Sequence, residues 1–152
     1  MSTLPAVLNP VVALWRAGVR LLESLQPAAQ LAARVYVGHA FFASGLTKLR
    51  DWDTTLALFN DEYKVPLLPP ELAAVMGTCG EVGLPVLLVL GLAGRFAAAG
   101  LSVVNVVAVL SLAEIAPAAL NQHELWGSLL VGLLLWGPGR WSVDAWLVKR
   151  LP

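Results

Sequence analysis

The sequence predicts an all-α fold: a four-helix transmembrane bundle with amphipathic surface helices at the N-terminus, in the first loop and at the C-terminus. Composition and block structure lead there. Of 152 residues, 58% are hydrophobic and only 13% are charged, about half the charged share of a soluble domain, and the mean hydropathy is +0.74. The apolar residues gather in four blocks of roughly 20, the length that crosses a bilayer core. A disordered chain and an ordinary water-soluble enzyme are excluded on this ground. Ten basic residues balance ten acidic ones, so no bulk field draws in nucleic acid. The single cysteine, Cys79, rules out an intramolecular disulfide, a Cys-x-x-Cys redox pair and a self-contained thiol oxidoreductase.

The first element is an N-terminal interfacial segment, residues 1–28. Between Pro10 and Gln26, Arg16, Arg20 and Glu23 share one helical face and Val12, Trp15, Val19 and Leu22 lie largely opposite, the pattern of a helix in the membrane surface. Two prolines precede the arginines and no small-residue cleavage site follows, so the segment is expected to be retained. Residues 29–152 then form the membrane domain. Its first span, Leu31–Lys48, is apolar apart from Arg34, His39 and small polar residues. In the loop to Pro70, Trp52, Leu56, Phe59 and Tyr63 recur at helical spacing, with Asp51 or Asp53 able to cap a short helix on the membrane surface. Pro66, Pro69 and Pro70 end it and lead into the second span.

The second span, Glu71–Leu92, carries one interior charge, Glu81. The third, Phe96–Ala113, has none, and the fourth, Leu125–Pro138, recruits Asn121–Glu124 at its outer end. A surface helix over Arg140–Arg150 closes the chain. Arg16, Arg20, Arg95, Arg140, Lys149 and Arg150 fall on one side of this arrangement, and Lys48, Arg50 and Lys64 on the other. Six against three places both termini in the cytoplasm.

Ionisable groups within a bilayer are costly and need a partner or a purpose. Glu81 lies about ten residues from each end of its span, roughly 15 Å deep. His39 and Asn105 are expected at the same level, where they can form a cluster if their helix faces converge. Arg34 either snorkels to water or leans towards Glu81. Pro85 cannot donate to the Glu81 carbonyl, and Gly77, Gly80 and Gly83 permit another helix or a flat ligand to approach. Three readings stay open: a hydrogen-bonded clasp between helices, a proton relay or quinone-head site, and a path for an ion or solute. At the outer rim, Asp51, Asp53, Asp61, Glu62, Glu114, His123 and Glu124 have metal-ligating chemistry but no recognised ligand spacing. No metal site is assigned. Cys79 reads as a small packing residue, and Trp126, Trp136, Trp141 and Trp146 as interface markers.

These residues resemble the DoxX family of small four-span bacterial membrane proteins. The likeness runs from Leu31 to Trp146. It rests on Arg34, Gly38, Phe42, Gly45 and Lys48 in the first span, and on Gly80, Glu81, Gly83, Leu90, Gly91, Leu92 and Arg95 across the second. The first loop is also similar to DoxX members encoded beside copper-responsive secreted peptides, which implies metal-stress physiology. The resemblance implies a multi-pass protein of the bacterial inner membrane, acting as an accessory or anchoring subunit of a quinone-linked redox or metal-stress system. Glu81 and Arg34 match the family's pattern and are the expected catalytic groups. His39, Asn105 and Lys48 are the expected ligand-binding groups. Quinone is the one cofactor this reading admits. The lipid bilayer, protein partners and a further copy of the chain are the partners it allows. Nothing matches haem ligation, a copper-chain signature or a flavin motif, so a stand-alone oxidase is not expected. A transporter of a small solute or metal, and a pure assembly scaffold, are the competing classes.

Overall fold

The computed structural model describes residues 8–150 and is all-helical over them. Helix α1 spans Leu8–Arg50, α2 Trp52–Asp61, α3 Pro70–Leu90, α4 Gly94–Ser111, α5 Pro117–Trp136 and α6 Val143–Val148. The first seven residues of the expected interfacial segment lie outside this range.

Helix α1 corrects one expectation. Its 43 residues reach about 65 Å, and no turn separates the amphipathic segment from the first span. Proline costs an internal helix one hydrogen bond and crowds the preceding turn, yet the helix runs on through Pro27, which is itself buried. From Pro10 to Gln26 no residue is buried, and Leu14 and Trp15 are 76% and 73% exposed. This stretch is the free arm of α1. Packing begins at Pro27 and continues along a stripe of Arg34, Val37, Gly38, Phe41 and Gly45.

That stripe meets α3 in antiparallel fashion at two glycines. A Cβ on Gly38 would lie 2.6 Å from a Val89 methyl, and one on Gly45 would lie 2.7 Å from a Val82 methyl and 3.1 Å from the Glu81 backbone. Close approach therefore depends on glycines of α1. Of the expected glycines of α3, Gly80 admits α4, since a Cβ there would lie 3.1 Å from a Val104 methyl, whereas Gly83 has open space around its Cβ position. Helices α4 and α5 complete the bundle, with Val37, Phe41, Leu88, Ala98, Leu101 and Leu130 forming the core.

Asp51 caps α2: one carboxylate oxygen accepts from the Thr54 amide at 3.0 Å and the other from the Thr54 hydroxyl at 2.7 Å. The helix does not lie alone on a surface as expected. Phe59 packs on Ala73 and Ala74 of α3, with Trp52, Leu56, Tyr63 and Leu68 around them. The Lys64 amide donates to the Ser111 carbonyl at 2.7 Å, tying the following loop to the end of α4.

Helices α3 and α4 are long and apolar enough to cross a membrane. In α1 the corresponding stretch is interrupted by Arg34, His39 and Lys48, and α5 carries Asn121, Gln122, His123 and Glu124 in its second turn, which lowers the hydropathy of both.

Candidate functional site

At the α2 end of the bundle, the stripe on α1 finishes at Lys48 and faces Glu81 in the middle of α3. The Lys48 ammonium donates to Glu81 Oε2 at 2.6 Å and to Ser44 Oγ at 2.9 Å. The two side chains are only 18% and 11% exposed. Desolvating both charges costs several kcal/mol per ion unless geometry and further hydrogen bonds offset it, and the Ser44 contact supplies one such bond. Lys48 thus meets the carboxylate towards which Arg34 was one alternative to lean and with which His39 could cluster only if the helix faces converged.

The ion pair forms part of the wall of a cavity of about 400 Å³. Phe59 and Tyr63 line it from the α2 side, Val103, Val104 and Val107 from α4, and His123 and Trp126 from α5. Trp126 stacks edge-on against Phe41 and His123, with ring centroids 5.5 and 5.1 Å apart. Its buried indole N–H has no hydrogen-bond partner among the described residues. Burial and the nearby carboxylates of Glu62 and Glu81 push the Tyr63 phenol above its usual range, so it keeps its proton at neutral pH.

Asn105 is buried as expected but serves His123. Its Nδ2 donates to the His123 carbonyl at 2.9 Å, and its Oδ1 lies 2.8 Å from His123 Nδ1. His39 is exposed on the outside of α1 and joins neither pair.

Arg34 belongs to a different place. It is 1% exposed and donates to the Trp141 carbonyl at 2.6 Å, at the opposite end of α3 from α2. Asp144 completes this clasp: its carboxylate accepts from the amides of Ala93 and Gly94, each at 2.8 Å, and its own amide donates to the Gly91 carbonyl at 2.9 Å. Gly91 has φ +66° and a Cβ there would collide with Arg34 and Ser142. The cap holds Ala93 in the left-handed region at φ +49°, a conformation that disfavours residues with a Cβ.

His123 and Trp126 were weighed in the sequence only as a rim ligand and an interface marker. Their spacing with Leu130 and Leu133 repeats at three and four residues, and those leucines are buried, so the periodicity already put both on the inner face. Cys79 is exposed rather than packed inside. Among the described residues, no group of three or more His, Cys, Asp or Glu could hold a metal ion.

Fold and site define a helical membrane protein with an ion pair enclosed between its helices and an aromatic-walled cavity beside it. The DoxX family model matches residues 29–114, more than half of the chain, and the chain belongs to the DoxX family. No curated protein and no solved structure matches it. The family match includes Arg34, Lys48, Glu81 and Asn105 but stops short of His123, Trp126 and the clasp at Trp141–Asp144.

Proposed function

We propose that this DoxX protein is an accessory or anchoring subunit of a quinone-linked redox system in the bacterial inner membrane. In this reading α1 from Pro27 onward, α3, α4 and α5 all span the bilayer, with both termini in the cytoplasm, and protein partners bring the flavin or metal. The observation that carries it is the cavity. Its wall combines aromatic and aliphatic side chains with a small polar set, Lys48, Glu81 and His123, the mixture typical of sites for amphiphilic aromatic ligands. The orphaned Trp126 indole N–H adds an unused donor, and unmet buried donors are costly. A quinone ring fits such a lining, with Phe59, Tyr63 and Trp126 around the ring and the donor of the polar set, Lys48, towards an oxygen.

Bound quinone supplies a two-electron, two-proton carrier. The chain's own groups hold and orient it: Lys48 pairs with Glu81 and fixes its carboxylate, and Asn105 fixes the position of His123. Arg34, tied into the clasp, supports the end of the bundle rather than the ligand. The test is to purify the full chain in native lipids and identify extracted quinone and co-purifying polypeptides by mass spectrometry. Quinone retained by the wild type and depleted in Glu81→Gln supports the reading. Absence of quinone from the wild type overturns it.

A solute path is the second reading, because the cavity is open on one side and leads to a buried ion pair. Proteoliposome uptake that depends on Glu81 would favour it.

A further inference from the structure

The hydrogen bonds between Asn105 and His123 fix the tautomer of an imidazole in the cavity wall. Asn105 Nδ2 faces a backbone carbonyl, the His123 oxygen, at 2.9 Å. A carbonyl can only accept, so the amide nitrogen must be on that side and the amide oxygen on the other. That oxygen lies 2.8 Å from His123 Nδ1. Two acceptors cannot share one contact, so the neutral imidazole carries its proton on Nδ1. Nε2 is then a bare acceptor, and it makes no hydrogen bond among the described residues. The next aromatic residue in the same wall, Trp126, holds a buried N–H without a partner. One wall of the cavity therefore carries an unused acceptor, His123 Nε2, on a ring whose centroid lies 5.1 Å from that of Trp126.

We infer that this wall recognises a phenolic hydroxyl, with His123 Nε2 as the acceptor and Asn105 as the positioning residue that sets its tautomer. A hydroxyl donates its hydrogen to Nε2. A quinone carbonyl accepts only and leaves Nε2 unsatisfied. The inference rests on the quinone reading and sharpens it, since it makes the reduced, hydroxyl-bearing quinol the form held in preference to the quinone. The aromatic and valine lining fits the ring of either form, so the selectivity lies in His123 Nε2.

The experiment uses the full chain in nanodiscs with two probes, a short-chain ubiquinol kept reduced and its parent ubiquinone, titrated by tryptophan fluorescence at neutral pH. The wild type should bind the quinol about tenfold more tightly, the factor that one added hydrogen bond carries. In His123→Phe the two affinities should become equal, chiefly by loss of quinol binding. In Asn105→Leu the preference for the quinol over the quinone should fall. Nitrogen-15 NMR of histidine-labelled wild type supplies an arm that needs no variant: Nδ1 should be protonated and Nε2 bare, with the Nε2 signal moving on quinol addition and staying put on quinone addition. Equal binding of the two probes by the wild type, a preference that survives His123→Phe, or a proton found on Nε2 would overturn the inference while leaving the quinone reading standing. Binding of neither probe would overturn both.

Discussion

Replacing Lys48 with methionine would strand Glu81 as an unpaired carboxylate between α1 and α3, where the wild type has a 2.6 Å ion pair. Loss of one partner of a buried pair costs on the order of 3 kcal/mol, so Lys48→Met should lower the thermal midpoint in detergent. The double variant Lys48→Met/Glu81→Leu should recover most of that loss, because neither charge is then left alone. A single variant as stable as the wild type would show that the pair is solvated. Asp144 gives a second prediction. Its carboxylate satisfies the first two amides of the turn into α4, and loss of a capping side chain costs roughly 1 kcal/mol, up to about 2. Asp144→Ala should therefore destabilise the protein without changing ligand binding; a matched loss of ligand affinity at unchanged stability would contradict the placement of the clasp outside the site. At this scale Glu81 was legible from the sequence as the lone interior charge of its span. Its partner was not: Arg34 and Lys48 lie on the same stripe of α1, and the register of α1 against α3 decides which of them it meets. His39 could have been set aside, since it follows Gly38 directly and points away from that stripe.

Register is a property of paired elements, and here two small residues set it. Gly45 admits the α3 backbone so closely that a Cβ would lie 3.1 Å from the Glu81 carbonyl carbon. Overpacking of this kind costs about 1–3 kcal/mol. Gly45→Ala should push α1 from α3, lengthen the Lys48–Glu81 contact and lower the melting temperature; an unshifted melting curve would mean that the helices part without cost. Helix α2 carries the pH-dependent prediction. The Thr54 amide and hydroxyl hold the Asp51 carboxyl below its ordinary range. A carboxyl depressed in the folded state contributes stability in full above its unfolded pKa, and the contribution disappears as pH falls through the folded value. Hydrogen exchange in the first turn of α2, corrected for the intrinsic rate, should rise as the pH drops below the usual carboxylate range, and should be insensitive to pH in Asp51→Asn, which keeps a capping oxygen. The helix itself was readable from the spacing of Trp52, Leu56 and Phe59, and Asp51 from its place before them. Its docking on Ala73 and Ala74 was not, because an apolar stripe looks the same whether it meets lipid or another helix. The continuity of α1 through Pro27 was hidden for a related reason: proline marks a probable helix boundary, and only tertiary packing, here around a buried Pro27, overrides it.

Across the whole molecule, the long α1 and the chain reversals at both ends of the bundle divide the polar residues into two groups. Arg34, Trp141 and Asp144 fasten one end, while Lys48, Glu81, Asn105 and His123 collect at the other beside the aromatic cavity. Membrane residence and the all-helical class follow from composition and block length alone. The division of the charges does not, because depth counted along separate helices leaves their relative heights and rotations undetermined, and His123 entered the site from a helix whose polar first turns looked like a solvated end. The account's central claim is that the cavity by Lys48 and Glu81 holds a quinone-type ring. Photolabelling of the purified protein in nanodiscs with an azido-quinone, followed by peptide mapping, tests it most directly. Label is predicted on the cavity segments, above all Tyr63–Leu68 and His123–Trp126, displaced by unlabelled quinol and depleted in Glu81→Gln. Label spread over the exposed residues of α4 outside the cavity, such as Val106 and Leu110, with no change in the variant would contradict it.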